Sequence, residues 1–260
     1  MEEALYSPTF GNIDQYAANM HPREPAQGLV PSRMGHYYSQ VKVLEKSNSS
    51  SAEIIRKLYI VSRLCLLPEL GADFPELQIT DDGDGASFNR FNWTMEIPRE
   101  WALGWTRGDS LQELSASILH ETRHVEQAWV SVQHFKRKEP RSGVAVWASK
   151  AFVSEKAAKI LEKVALPNSL DLRYRLDRPG WQVGPEYEHK YSKLRDQLDE
   201  VRGALSMAKS FGIGQENVPK LREEHDELFK KYMNHPRERD AFDVENEYHG
   251  FYTAKDLGIF

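Results

Sequence analysis

Apolar residues recur at helical spacing along most of the chain and alternate in only one short stretch. Ile54, Leu58, Val61 and Cys65 mark one face of a helix over about 52–67, which Ser50 or Ser51 can cap. Strand patterns follow at Leu77–Thr80 and Phe88–Ile97, the second with Phe91, Trp93 and Met95 in alternation. Asp81-Asp82-Gly83-Asp84-Gly85 joins them as a hairpin turn; it lacks the closing glutamate of a calcium loop. The helical period then resumes. Ser110-Leu111-Gln112-Glu113 is a capping box that opens a long helix to about 137, and a further helix follows over about 144–165. Two charged helical stretches, about 186–210 and 217–233, are separated by Phe211-Gly212-Ile213-Gly214 and predict a helical hairpin. A last helix starts at Pro236 and ends near Gly250. Residues 1–50 lose the pattern: Pro8, Pro22, Pro25 and Pro31 punctuate them, which predicts an irregular N-terminal arm. The expected fold is α+β, mostly helical, with a small antiparallel sheet ahead of the long helix. One domain is expected over 51–260, with 186–233 as an inserted hairpin.

The long helix has two unlike faces. Leu111, Leu114, Ile118, Val125, Trp129 and Val132 form an apolar stripe at about 100° per residue. The opposite face carries His120 and His124 among Ala116, Ser117, Gln127 and Ser131, without a long charged side chain. A solvated face would carry Lys or Glu there, so small residues predict a cleft floor. His120-Glu121-Thr122-Arg123-His124 places two imidazoles about one turn apart, so that both can reach one ion. Zinc accepts such nitrogens and leaves a position for water, whose proton Glu121 can take. Arg123 is the misfit within the motif, because its charge needs a carboxylate or solvent.

A catalytic zinc needs a third protein ligand. A structural site is disfavoured: the chain has one cysteine, Cys65, in an apolar run where it reads as a small buried hydrophobe. The extended three-histidine motif would need glycine at 127 and histidine at 130, where Gln127 and Val130 stand. A glutamate on a later helix is the alternative. Pro236 suits a helix start, Glu238 falls in the first turn, and the small Ala241 shares its face. Glu245 and Asp240 are the next candidates, and a surface ion-pair role for Glu238 stays open.

His120 to Gln127 resembles the HExxH zincin metallopeptidases, and Glu238-x-x-Ala241 resembles the gluzincin pattern. The glutamine at 127 is similar to metallopeptidase domains of bacterial secreted toxins and injection-system effectors. The resemblance covers 88–250 loosely and two short segments closely. It implies a zincin-like fold, zinc held by His120, His124 and Glu238, Glu121 as general base, and a polypeptide substrate held along a sheet edge. It also implies a histidine or tyrosine at the oxyanion. Tyr248 and His249 are the chosen candidates, with Tyr252 and His235 behind them. Where the pattern places an aspartate that holds a ligand histidine from behind, this chain has Phe242, with Asp243 next to it.

Composition narrows the partners. A net charge of −5 in 260 residues disfavours nucleic acid. No apolar run is long enough for a membrane span, and Met1-Glu2-Glu3-Ala4-Leu5 lacks the basic and apolar regions of a Sec signal. The expected protein is made in the cytoplasm, and a signal-less export route stays compatible. As an effector it would engage secretion machinery or a cognate inhibitor. Two other functions stay open: a zinc hydrolase of a non-protein amide, and a binding module with a vestigial zinc site.

Overall fold

The computed structural model describes residues 28–81, 86–99, 109–167, 185–212 and 214–256. The elements run α1 (Leu29–Glu45), α2 (Ser51–Cys65), a 3-10 segment (Pro68–Asp73), β1 (Glu76–Thr80), β2 (Ser87–Asn89) and β3 (Thr94–Pro98). They continue with α3 (Asp109–Lys138), α4 (Val144–Ala151), α5 (Glu155–Leu161), α6 (Pro185–Phe211), α7 (Val218–Met233) and α8 (Pro236–Asp256). The fold is mostly helical with one small mixed sheet.

Helix α3 is the axis of the molecule. From Leu114 to Gln133 every residue is buried except Glu121, which is partly exposed. Its apolar stripe packs into the core. Its small-residue face is not an open cleft: α8 lies along it, and α1 packs against both. Ala116, Ser117, Gln127 and Ser131 are small or uncharged because a helix must approach there. An aromatic cluster fixes α1 to α8. The Tyr38 ring lies 4.6 Å from Tyr252 and 6.3 Å from Tyr248, and Tyr37 lies 5.5 Å from Tyr248.

The strand order is β1-β3-β2, with β1 parallel to β3 and β2 antiparallel to it, so the sheet is mixed and not antiparallel throughout. The expected single strand Phe88–Ile97 is broken by a turn. Asn89 Oδ1 accepts from the backbone N–H of Phe91 and Asn92, and Trp93 takes φ 62. Such an Asn-led turn competes with the strand ladder, and burying the Trp93 ring offsets its left-handed backbone. Phe91 is exposed as a result. Most of the expected turn at 81–85 lies outside the described residues.

The expected irregular arm is corrected over 29–45, which is helix; residues 1–27 lie outside the described residues. Proline spacing hid α1 because its N-terminus is satisfied from far away. Glu126 accepts from the N–H of Leu29 at 2.9 Å and Val30 at 3.3 Å. A carboxylate there meets the positive end of the helix dipole. The expected helix over 144–165 is two helices, broken where Phe152 takes φ 55 and Ser154 caps Ala157. The charged hairpin is present as α6 and α7, joined over Leu198, Val201 and Leu228. Among the described residues no helix is long and apolar enough to cross a membrane.

Candidate metal centre

Helices α3 and α8 bring three ligand side chains to one point. His120 and His124 lie one turn apart on α3, with ring centroids 5.0 Å from each other. Glu238, in the first turn of α8, places Oε2 3.5 Å from His120 Nε2 and Oε1 3.3 Å from His124 Nε2. All three are buried, and one ligand atom from each lies within 4.8 Å of the others, so the cluster could hold a metal ion. Glu238 Oε2 is buried without a hydrogen bond. Two imidazole nitrogens facing an unsatisfied carboxylate oxygen form a donor set that suits a zinc-type cation.

No protein-family model, curated protein or solved structure matches this chain.

Each histidine is held from its far side, His120 by α8 directly and His124 by Gln127 of α3, which α8 anchors. His120 Nδ1 pairs with Glu245 Oε2 at 3.0 Å. His124 Nδ1 pairs with Gln127 Oε1 at 2.8 Å. Gln127 Nε2 in turn donates to Asp240 Oδ2 at 2.8 Å and to the Arg237 carbonyl at 3.0 Å. Such partners fix the ring orientation and aim Nε2 at the shared point. Glu245 lies seven residues after Glu238, two turns on and on the same face of α8. The outer carboxylate for His120 is thus Glu245, not a residue four positions after the ligand. Replacing Glu245 by alanine is expected to weaken zinc binding by about 10–100-fold while helix content is kept. Competition with a chelating dye measures it; unchanged affinity would mean that His120 is oriented without Glu245.

Arg123, the misfit of the motif, is 1% exposed and anchors the site. It donates from Nε to Asp240 Oδ2 at 2.7 Å, from Nη2 to Asp240 Oδ1 at 2.8 Å, and from Nη1 to Glu126. Its charge therefore meets two carboxylates, one on α8 and the other capping α1.

Glu121 sits between the histidines, and its Oε2 accepts from the N–H of Phe88 in edge strand β2 at 2.8 Å. Burial pushes its carboxyl up, against the pull of His124 and His120. Glu121 is the one residue from Leu114 to Gln133 that is partly exposed.

Tyr191 of α6 was not anticipated. Its hydroxyl donates to Glu238 Oε1 at 2.6 Å, and its ring lies 4.6 Å from His235. The available signal was weak: Tyr191 and Tyr232 are aromatic residues at the base of an otherwise charged hairpin. The expected oxyanion candidates lie elsewhere. Tyr248 is fully buried, with its hydroxyl 3.0 Å from Ser115 Oγ, and His249 Nδ1 faces Gln112 at 3.5 Å. Both sit about 15 Å along α8 from Glu238, since each residue rises about 1.5 Å. Tyr252 belongs to the same aromatic cluster.

The charges set a pH signature for the metal-free protein. Burial works against a charged His120, but the Glu238 and Glu245 carboxylates override it and hold the imidazole well above its usual 6.5. Burial would raise Glu238, but the two histidines hold it well below its usual 4.5. Stabilisation from the raised histidine is complete below 6.5 and is lost as pH rises through its higher folded value. Stabilisation from the lowered carboxylate is present above 4.5 and is lost as pH falls through its folded value. Glu121, raised by burial, works with His120 as pH climbs. The chelator-treated protein is therefore expected to lose stability on the alkaline side of neutrality. Zinc, which needs deprotonated ligands, is expected to reverse that slope. Melting temperatures across pH 6–9 with and without zinc decide this, and parallel curves would refute it.

Proposed function

We propose that the chain is a zinc-dependent metallopeptidase of the zincin type with a gluzincin-like ligand set. The observation that carries this reading is the arrival of Glu238 at the two Nε2 atoms, with Glu121 partly exposed beside them. His120, His124 and Glu238 would hold the ion. A bound zinc supplies Lewis acidity that acidifies a water and polarises a carbonyl. Glu121 takes the proton of the attacking water on a carboxylate oxygen and passes it to the leaving amine. Burial raises its carboxyl above the usual value, which favours taking up the proton. Tyr191, whose hydroxyl donates to Glu238, would position that carboxylate, while Tyr248 and His249 lie too far along α8 to meet an oxyanion. Strand β2 is a sheet edge next to Glu121, and an extended peptide would lie along it. The motif's likeness to effector peptidases extends the proposal to a secreted bacterial role.

The test is cleavage of an unstructured protein by zinc-loaded protein against chelator-treated protein. The proposal expects one zinc per chain and zinc-dependent fragments by mass spectrometry. Stoichiometric zinc with no cleavage of any polypeptide would remove the peptidase reading.

A further inference from the structure

Two arginines accompany the tyrosine that touches the cluster. Arg90 lies in the turn two residues beyond Phe88, whose N–H holds Glu121. Its guanidinium is 5.8 Å from the centre of the Tyr191 ring and 5.6 Å from that of Phe152. Arg195 follows Tyr191 by four residues on α6 and so shares its face, one turn on. The Arg195 side chain is 54% exposed. The carboxylate it pairs with, Asp199, is 3.9 Å away, is 56% exposed, and is shared with Arg202 at 3.7 Å. An exposed, shared pair of that length neutralises little charge. Burial works against the Arg195 charge, but Tyr191, Tyr232, Asp199 and Glu121 outweigh it and hold the guanidinium above its usual value. Tyr191, which bonds Glu238, is thus flanked by guanidinium groups from the β2–β3 turn and from α6.

We propose that the substrate carries a carboxylate side chain close to the bond that is cut, received by Arg195 with Arg90 beside Tyr191. The cleavage half rests on the peptidase reading; the binding half does not. A guanidinium presents paired N–H donors that match a carboxylate, and it holds its charge at any working pH. A lysine at the same place in a peptide meets like charge. The hairpin α6–α7 then has a use beyond its own packing: it brings both Tyr191 and Arg195 to the site.

A randomised peptide mixture, digested by zinc-loaded protein and read by mass spectrometry, tests the cleavage half. Asp and Glu are expected to be enriched next to the cut bonds. For matched peptides carrying Asp or Asn at that position, kcat/KM should favour Asp about tenfold, as a charge-assisted hydrogen bond would give. Arg195→Gln should remove most of that ratio, and Arg195→Lys should keep part of it. Equal kcat/KM for the Asp, Asn and Lys peptides would overturn the proposal. Calorimetry of the same peptides on zinc-loaded Glu121→Gln protein separates the two claims. Tighter binding of the Asp peptide without cleavage by the wild type keeps the acidic ligand and removes the peptidase reading. Equal binding, or none, removes the acidic ligand.

Discussion

Replacing Arg123 by leucine is expected to destabilise the protein by about 3–5 kcal/mol, because it leaves two inward carboxylates without their cation. Glu126 is fully buried, and Asp240 is largely so. Each also has a second structural duty. Glu126 caps the first N–H groups of α1, and Asp240 holds Gln127, which orients His124. One substitution therefore loosens α1, α8 and one histidine of the cluster together. Lysine is no substitute, since it cannot reproduce the two-toothed bond to Asp240. Urea denaturation measures the loss. A triple variant that also replaces Glu126 and Asp240 by leucine is expected to recover part of it, because the two carboxylates that faced the lost guanidinium are then gone. A single-variant loss below about 1 kcal/mol, typical of an exposed ion pair, would show that this network is not buried in solution.

Glu121→Gln is expected to lower kcat by about 10²–10⁴-fold, the usual contribution of a general base, with zinc still bound. Glutamine keeps the size of the side chain and can still accept from Phe88 N–H through its carbonyl oxygen. It cannot take a proton. Glu121 is also not one of the residues that meet at the metal point, so occupancy should be unaffected. Turnover within about threefold of the wild type would assign the base elsewhere. Loss of zinc would mean that Glu121 is a ligand.

The site was legible where sequence spacing alone sets geometry. His120, Glu121 and His124 follow from the helical period, and the apolar stripe on the other face fixed which way they point. Glu238 followed from Pro236, which starts α8, and Ala241, which lets α8 come close. What escaped depends on contacts between segments far apart in the chain. Helix α1 was missed because its cap is Glu126, 97 residues later. The burial of Arg123 could not be foreseen, because Asp240 reaches it from α8. The role of Glu245 needed the α3–α8 register, and Tyr191 needed the position of α6. The mixed sheet needed the pairing of β1 with β3, which no turn between neighbours specifies.

The central claim is that α3 and α8 together form one metal site. X-ray absorption at the zinc edge, on protein stripped and reloaded with one equivalent of zinc, tests it most directly. Two imidazole nitrogens at about 2.0–2.1 Å and a carboxylate oxygen at about 2.0–2.2 Å are expected, with the carboxylate signal and tight binding lost in Glu238→Ala. Zinc that fails to bind, or that binds equally well without Glu238, would contradict it.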